Sequence, residues 1–333
     1  MMISPERSYA DYREMAVKEA QRPDGIDAVV IATPPDSHLD IAKCFLNQGI
    51  DVICEKPLTR NVEEAEQLAE LVKSTDRLFC VTHCYTGYPM VRHARNVIAE
   101  GAIGAVRMIE VEFCPGEPGT ALEPLDPSKR HWRFKEGYMG KAAILGEVGS
   151  HAYNIASYLT GRRAIDVSAR LRTFAERREV FDNAYLTVRY DNGVEGRLWS
   201  SYVAAGNDQG LKFRIFGDHG SLLWDQESPE TLTLKRIGEP AVILGRGYDS
   251  ASDAAKNVTR FRAGFPEGYG LAFANLYVDF ANALMARELG VDPDEHLRFL
   301  PTVQDGLEGM KMIAAAVRSN NSDGQWSKLG EAL

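Results

Sequence analysis

No run of about 18 consecutive apolar residues occurs in the 333-residue sequence, so no segment reads as a membrane-spanning helix. Positive charge is also short: 38 Lys and Arg stand against 47 Asp and Glu, a net charge of −9. Nucleic acid needs a basic face to meet its phosphates and is therefore not an expected partner. Cysteine is sparse and odd in number, five residues without the spacing of a disulfide framework, which points to reduced thiols. The amino terminus has no charged-then-apolar leader, and a cytoplasmic protein is the expectation. Internal repeats and low-complexity tracts are missing too. So is any G-x-G-x-x-G turn, whose backbone amides would cradle a pyrophosphate.

What is present is ordinary for a folded chain: 44% hydrophobic and 26% charged residues, at a length that suggests two domains. The most informative stretch runs from Gly25 to Pro57. Two apolar runs rich in Val and Ile, 28–33 and 50–54, read as strands buried on both faces of a parallel sheet. Between them Asp36 or Ser37 caps an expected helix with Leu39, Ala42, Phe45 and Leu46 on one face, and Gly49 ends it. Thr33-Pro34-Pro35 follows the first strand and Glu55-Lys56-Pro57 the second. Ligands bind at the carboxyl ends of strands in open parallel sheets, so these two segments predict a site.

Around this unit the pattern of a doubly wound sheet continues. A helix is expected from a capping-box-like Ser8-Tyr9-Ala10-Asp11 to about Arg22, another from Asn61 to about Lys73, a strand over 78–82, and a helix from Pro89 to Glu100. From Gly104 onward strict alternation takes over. Strands are expected at 106–113, 165–174, 184–190, 194–203, 211–216, 221–224 and 231–236, with hairpin turns at Asp191-Asn192-Gly193 and Asp218-His219-Gly220. One helix over 151–160 and two at 269–287 and 302–318 complete the chain, and residues 115–140 form a connector too long to be idle. The expected architecture is an amino-terminally incomplete doubly wound parallel sheet (1–104), then an open-faced antiparallel sheet with helices on one face (105–333), the last helix returning to the first domain.

Cys80, His83 and Cys84 invite a metal reading. Strand periodicity sends His83 to the face opposite the two cysteines, and an extended strand holds the sulfurs roughly 13 Å apart. No metal is expected.

Four segments together resemble the Gfo/Idh/MocA family, the glucose–fructose oxidoreductase and inositol dehydrogenase group. They are Ala32-Thr33-Pro34-Pro35-Asp36-Ser37-His38, Cys54-Glu55-Lys56-Pro57-Leu58, Trp132-Arg133, and Gly146-Glu147-Val148-Gly149-Ser150-His151. The resemblance covers essentially the whole chain, except that the family's first strand–turn–helix has no counterpart. The chain opens with a helix where two strand–helix units, roughly 50–60 residues, should precede it. A truncated start, which Met1-Met2 fits, is preferred over loss of part of a cofactor site.

The resemblance implies a partial Rossmann domain, NAD or NADP as cofactor, and hydride transfer between nicotinamide and a secondary hydroxyl of a sugar, inositol or related polyol. It implies a homodimer or homotetramer built on the antiparallel sheet. His151 becomes the expected base, because imidazole titrates near working pH, and Lys56 the donor to the substrate oxygen. Glu147 lies four residues before His151, close enough to pair with it and raise its basicity, where the family usually has aspartate. Thr33, Pro34, Pro35 and His38 are expected along the cofactor path, with Glu55, Lys56 and Pro57 beside the nicotinamide ribose. Tyr85 walls the site, and Trp132 and Arg133 reach over to the nicotinamide. Lys56, Tyr85, Arg133, Glu147 and His151 face the substrate, and Pro266-Glu267-Gly268-Tyr269 is a weaker candidate for sugar hydroxyls. Ala142 and Ala143 replace glycines that family members often carry, which narrows the cleft if they line it. A redox-neutral NAD-dependent glycosidase and a catalytically silent sensor are the alternatives on the same scaffold.

Overall fold

The computed structural model describes residues 4–116 and 123–331. Its first sheet has three parallel strands in the order β1 (Ala28–Ile31), β2 (Asp51–Cys54), β3 (Phe79–Val81). Helices α1 (Tyr12–Ala20), α2 (His38–Leu46), α3 (Val62–Thr75) and α4 (Pro89–Ala99) alternate with these strands. Side-chain caps set two of the starts. Asp11, not Ser8, accepts the Arg13 amide at the head of α1, and Asn61 accepts the Glu64 amide at 2.9 Å at the head of α3. The expectation that both β1 and β2 are buried on two faces holds for β2 alone. β1 is the edge strand, and Val30 there is 46% exposed.

The second sheet has nine strands: β4 (Val106–Phe113), β5 (Ala164–Arg172), β6 (Asn183–Tyr190), β7 (Glu195–Ser201), β8 (Leu211–Gly217), β9 (Gly220–Asp225), β10 (Thr231–Arg236), β11 (Val242–Gly245) and β12 (Ser327–Lys328). It is mixed, not wholly antiparallel, because β4 pairs with β7 in parallel and with β8 antiparallel. Alternation along the strands reads directly onto its two faces. Ile109, Val111 and Phe113 turn inward, and Met108, at 53% exposed, turns outward. The remaining helices are α5 (Glu136–Met139), α6 (Ser150–Thr160), α7 (Asp253–Lys256), α8 (Tyr269–Glu288), α9 (Asp294–Leu297) and α10 (Val303–Asn321). Among the described residues no helix is long and apolar enough to cross a membrane.

Among the described residues two large apolar cores result, beside a small cluster of Ala143 and Val180. One lies around the parallel sheet (Ile31, Phe45, Val52, Leu68, Val81), and the larger one fills the space between the nine-stranded sheet and α4, α6, α8 and α10. Helix α10 belongs to both. Its Leu307 and Met310 enter the first core, and Met312, Ala315 and Ala316 the second. The Thr302–Asp305 capping box fixes its start, and just before it the Pro301 carbonyl accepts the Val81 amide at 2.9 Å. The head of α10 is thereby bonded to the last strand of the parallel sheet.

One buried polar cluster holds the segment between β3 and α4, which forms part of the site. Arg92, fully buried on α4, pairs with Asp279 of α8, donates to the Thr86 carbonyl at 3.1 Å, and stacks over the Phe299 ring at 4.7 Å. Asn275 of α8 donates to the Gly87 carbonyl at 2.9 Å. The approach is so close that a β-carbon on Gly87 would lie 2.0 Å from the Ala272 carbonyl oxygen. Removing one member of a buried ion pair strands the other charge. Asp279→Ala is expected to cost about 3–5 kcal/mol of unfolding free energy in urea titrations, several times the cost of an exposed surface-pair variant such as Glu14→Ala.

Candidate active site

Strand ends and helix α6 meet around a cleft of about 990 Å³. The parallel sheet contributes Thr33, Pro34 and Pro35 after β1 and Glu55 and Lys56 after β2; the turn after β3 contributes Cys84 and Tyr85. From the other half come Phe113 at the end of β4, Trp132, Arg133 and Phe134 of the long connector, and Glu147, Val148, His151 and Tyr202. Tyr269 enters from the first turn of α8. Eleven of the expected site residues, from Thr33 to Tyr269, are therefore brought together from segments more than 200 positions apart.

The polar groups are arranged in two linked sets. In the first, Lys56 Nζ donates to the backbone carbonyl of Glu147 at 3.1 Å and lies 3.5 Å from its Oε1. Arg133 Nε donates to Glu147 Oε2 at 2.8 Å, and the guanidinium stacks on Trp132 at 4.7 Å. Glu147 itself sits in a π-helical turn (Leu145–Gly149) leading into α6. Such turns are widened by one residue and recur at functional sites. Its carboxylate thus spans two cations from different parts of the chain. This corrects the expectation that Glu147 pairs with His151.

The second set is that pairing's replacement. His151 Nδ1 is 3.3 Å from His83 Nδ1, with the rings edge-on at an interplanar angle of 87°. Tyr85 meets the His151 ring edge-on at 4.9 Å between centroids, and Phe113 flanks it at 6.0 Å. Both imidazoles are buried. Burial, and secondarily the Lys56 charge, pushes His83 down to about 3. The same causes, burial first, then Lys56 and then His83, hold His151 well below its ordinary value. Both rings are neutral near neutral pH, so His151 is free to accept a proton. Burial likewise pushes the Cys84 thiol up to about 12 and raises Tyr85 and Tyr202.

Several expected residues stand elsewhere. His38 is fully buried and off the cleft, its ring nitrogens 3.1 Å from the Leu58 carbonyl and 2.8 Å from the Thr33 carbonyl. It braces the segments after β1 and β2 from behind. Pro57, joined to Lys56 by a cis peptide, is buried beneath the cleft edge. Ala142 and Ala143 are buried and do not line the cleft, so they do not narrow it directly. Glu267 is also withdrawn. It pairs with buried Arg246 at 3.0 Å and accepts the amides of Arg260 and Phe261 at 2.7 Å each, which fixes the loop before Tyr269. Of the Pro266–Tyr269 candidates, Tyr269 alone lines the cleft.

The sequence reading sets His83 only against Cys80 and Cys84 and does not include it in the site. The signal was available: like Lys56, it stands just beyond the carboxyl end of a parallel strand. Tyr202, Asp208 and Gln209, which also line the cleft, follow β7 with no motif to mark them.

A cleft at the carboxyl ends of parallel strands, closed by a second sheet and carrying a lysine and a neutral histidine, is a Rossmann-type ligand site with groups able to move a proton. Residues 4–83 match the model of an oxidoreductase family with an NAD-binding Rossmann fold, and residues 91–223 match the GFO/IDH/MocA C-terminal domain. The chain is 32% identical to the oxidoreductase YfiI of Bacillus subtilis, over 97% of this chain and 83% of that protein. An inositol dehydrogenase homologue from Azotobacter vinelandii, solved with NAD+, is 35% identical, covers 98% of this chain and 84% of its own, and superposes with a TM-score of 0.90. The structure of an inositol dehydrogenase homologue from the same organism with NADH and myo-inositol gives 36% identity, 98% and 84% coverage, and a TM-score of 0.87. The chain belongs to the Gfo/Idh/MocA family of NAD(P)-dependent oxidoreductases.

The buried imidazoles carry a pH signature. A histidine neutral in the fold but charged when unfolded makes the unfolded chain bind more protons between the two pKa values. Stability contributed by His83 is therefore full above pH about 6.5 and declines as pH falls toward about 3. In urea titrations, His83→Asn is expected to flatten the acid decline across that window by roughly 1 kcal/mol per pH unit relative to wild type.

Proposed function

We propose that the protein oxidises a secondary hydroxyl of a cyclic polyol, an inositol or a related sugar, using NAD or NADP. The observation that carries this reading is that Lys56, from the end of β2, and His151, from α6, border one cleft, with the Lys56 ammonium bonded to the Glu147 carbonyl one turn before His151. The myo-inositol complex of the Azotobacter homologue supports the substrate class.

The cleft fits the nicotinamide end of the cofactor. Thr33, Pro34 and Pro35 offer a rigid apolar edge, Glu55 an acceptor for a ribose hydroxyl, and the Trp132–Arg133 pair a flat cover, with volume left for a small polyol. When bound, the nicotinamide supplies the acceptor for the substrate's hydride. The chain's own groups do the rest. Lys56 Nζ donates to the substrate oxygen and stabilises the negative charge that develops there. His151, neutral and desolvated, takes the hydroxyl proton. Glu147 positions the ammonium through its carbonyl and Oε1, and Arg133 holds that carboxylate from its other side. Phe113, Tyr85 and Tyr202 keep water from the reacting carbon.

Assembly through the outer face of the nine-stranded sheet completes the reading. That face exposes Met108 (53%) and Tyr185 (49%), with Tyr185 stacked on Trp199 at 5.9 Å. Glu110 lies between Arg197 and Arg214 in a groove of about 720 Å³. A twofold copy of such a face is self-complementary, because it offers apolar rings and both signs of charge. A homodimer or homotetramer is the reading.

Two outcomes test these proposals. Lys56→Ala and His151→Ala are each expected to lower kcat/KM for NAD(P)-dependent oxidation of myo-inositol or its stereoisomers by about a hundred- to ten-thousandfold, with unchanged circular dichroism. Wild-type turnover surviving both changes would remove the mechanism. For assembly, light scattering on the Met108→Lys/Tyr185→Lys double variant is expected to give the monomer mass where wild type gives two or four copies. A monomeric wild type defeats the assembly reading.

A further inference from the structure

The two buried rings at the cleft raise a question that Glu147 does not answer: what orients His151. In a general base of this kind one ring nitrogen meets the substrate and the other is held by a fixed partner, which sets the tautomer. Glu147 is occupied elsewhere, its two oxygens turned to Lys56 and Arg133. Of the groups around the His151 ring, Lys56 lacks an acceptor, and Tyr85 and Phe113 meet it through ring contacts. His83 remains, Nδ1 against Nδ1 at 3.3 Å.

We infer that His83 is the positioning residue of His151: its Nδ1 accepts the His151 Nδ1–H, leaving His151 Nε2 unprotonated as the nitrogen available to the cleft. The two neutral rings must be of opposite tautomers at the shared contact, since two lone pairs or two hydrogens facing at that distance repel. His83 is then Nε2–H, and the ring pair carries no net charge. When His151 takes a proton from a substrate hydroxyl, the O–H bond breaks, an Nε2–H bond forms, and the Nδ1–H bond to His83 stays in place. The base is thus held by a neutral partner where a carboxylate would otherwise stabilise its charged form. The groups facing it are Lys56 from the end of β2, His83 and Tyr85 from the segment after β3, and Glu147 one turn earlier, already paired with two cations. Among the described residues the ring's recorded contacts are His83, Tyr85 and Phe113, none of them anionic.

This inference rests on His151 being the base, and its test separates the two. The first measurement needs no substrate. Ring nitrogen NMR of the 15N-histidine-labelled protein is expected to show His151 protonated at Nδ1 and His83 at Nε2, and His83→Phe is expected to move His151 toward the Nε2–H form. A wild-type His151 protonated at Nε2, or a tautomer unmoved by His83→Phe, overturns the inference whatever the substrate. The second measurement is turnover. His83→Phe is expected to lower kcat about 10- to 100-fold with KM little changed, and His83→Asn, whose amide oxygen accepts the same hydrogen, to recover most of that loss. His83→Asp is expected to move the acid limb of the kcat/KM profile upward, because a carboxylate stabilises imidazolium. If His83→Asn fares no better than His83→Phe, and His83→Asp leaves the acid limb in place, His83 is only packing. If wild type turns over but loses nothing in His151→Ala, the proposed base is wrong while the tautomer result still stands or falls alone.

Discussion

Everything at this cleft depends on one hydrogen bond made across the molecule. The Lys56 ammonium, at the end of a parallel strand, donates to a backbone carbonyl 91 positions later, in the widened turn that opens α6. A main-chain acceptor is a better anchor than a side chain alone, because it moves only if the turn moves. The adjacent Glu147 carboxylate adds charge to the same contact. The contact ties the strand-end segment carrying Lys56 to the helix carrying His151, so the two groups share one frame. The neutral state of the buried imidazoles follows from the same juxtaposition, since closing α6 over the strand ends removes water and sets a cation nearby.

Rigidity behind the cleft comes from polar groups placed where apolar packing is least directional. Arg92, Asp279 and Asn275 fix the turn that presents His83 and Tyr85, and His38 braces the two proline-bearing segments from within. Arg246 with Glu230 and Glu267 does the same for the approach to Tyr269. Each cluster is buried or nearly so, and each bonds to main-chain groups in an irregular segment. Strands and helices satisfy their own backbones; the segments between them, which carry the site, rely on these side chains. Helix α10 then holds the two cores together by lending opposite sides to each.

Much of this was legible in the sequence. The β1–α2–β2 unit, the residues at its strand ends and the alternation of β4 through β10 follow from period and turn chemistry. Lys56, His151, Tyr85, Trp132 and Arg133 were found by position and resemblance, and they share a cleft. What failed were statements about partners. Spacing of four suggested that Glu147 pairs with His151, but that rule assumes an α-helix, and the π-helical turn changes the angle between the two side chains. His38 read as a cleft residue because its neighbours Thr33 to Pro35 are, although its ring turns inward. The parallel β4–β7 pairing was also beyond reach, since local alternation is the same for either direction.

The charge distribution gives the site a direction that its residue types alone do not specify. Two cations and one carboxylate lie on the Lys56 side, and among the described residues no carboxylate is bonded to the imidazoles. A proton arriving at His151 therefore gains little from its surroundings and is held loosely, whereas negative charge on a bound oxygen is strongly favoured by Lys56. In the proposed mechanism such a site lowers the barrier mainly by stabilising the oxygen, with the imidazole as a transient acceptor that gives its proton up readily. The longer Glu147 fits this division. Its carboxylate spans Lys56 and Arg133, and the place beside the His151 ring is taken by a second, uncharged ring.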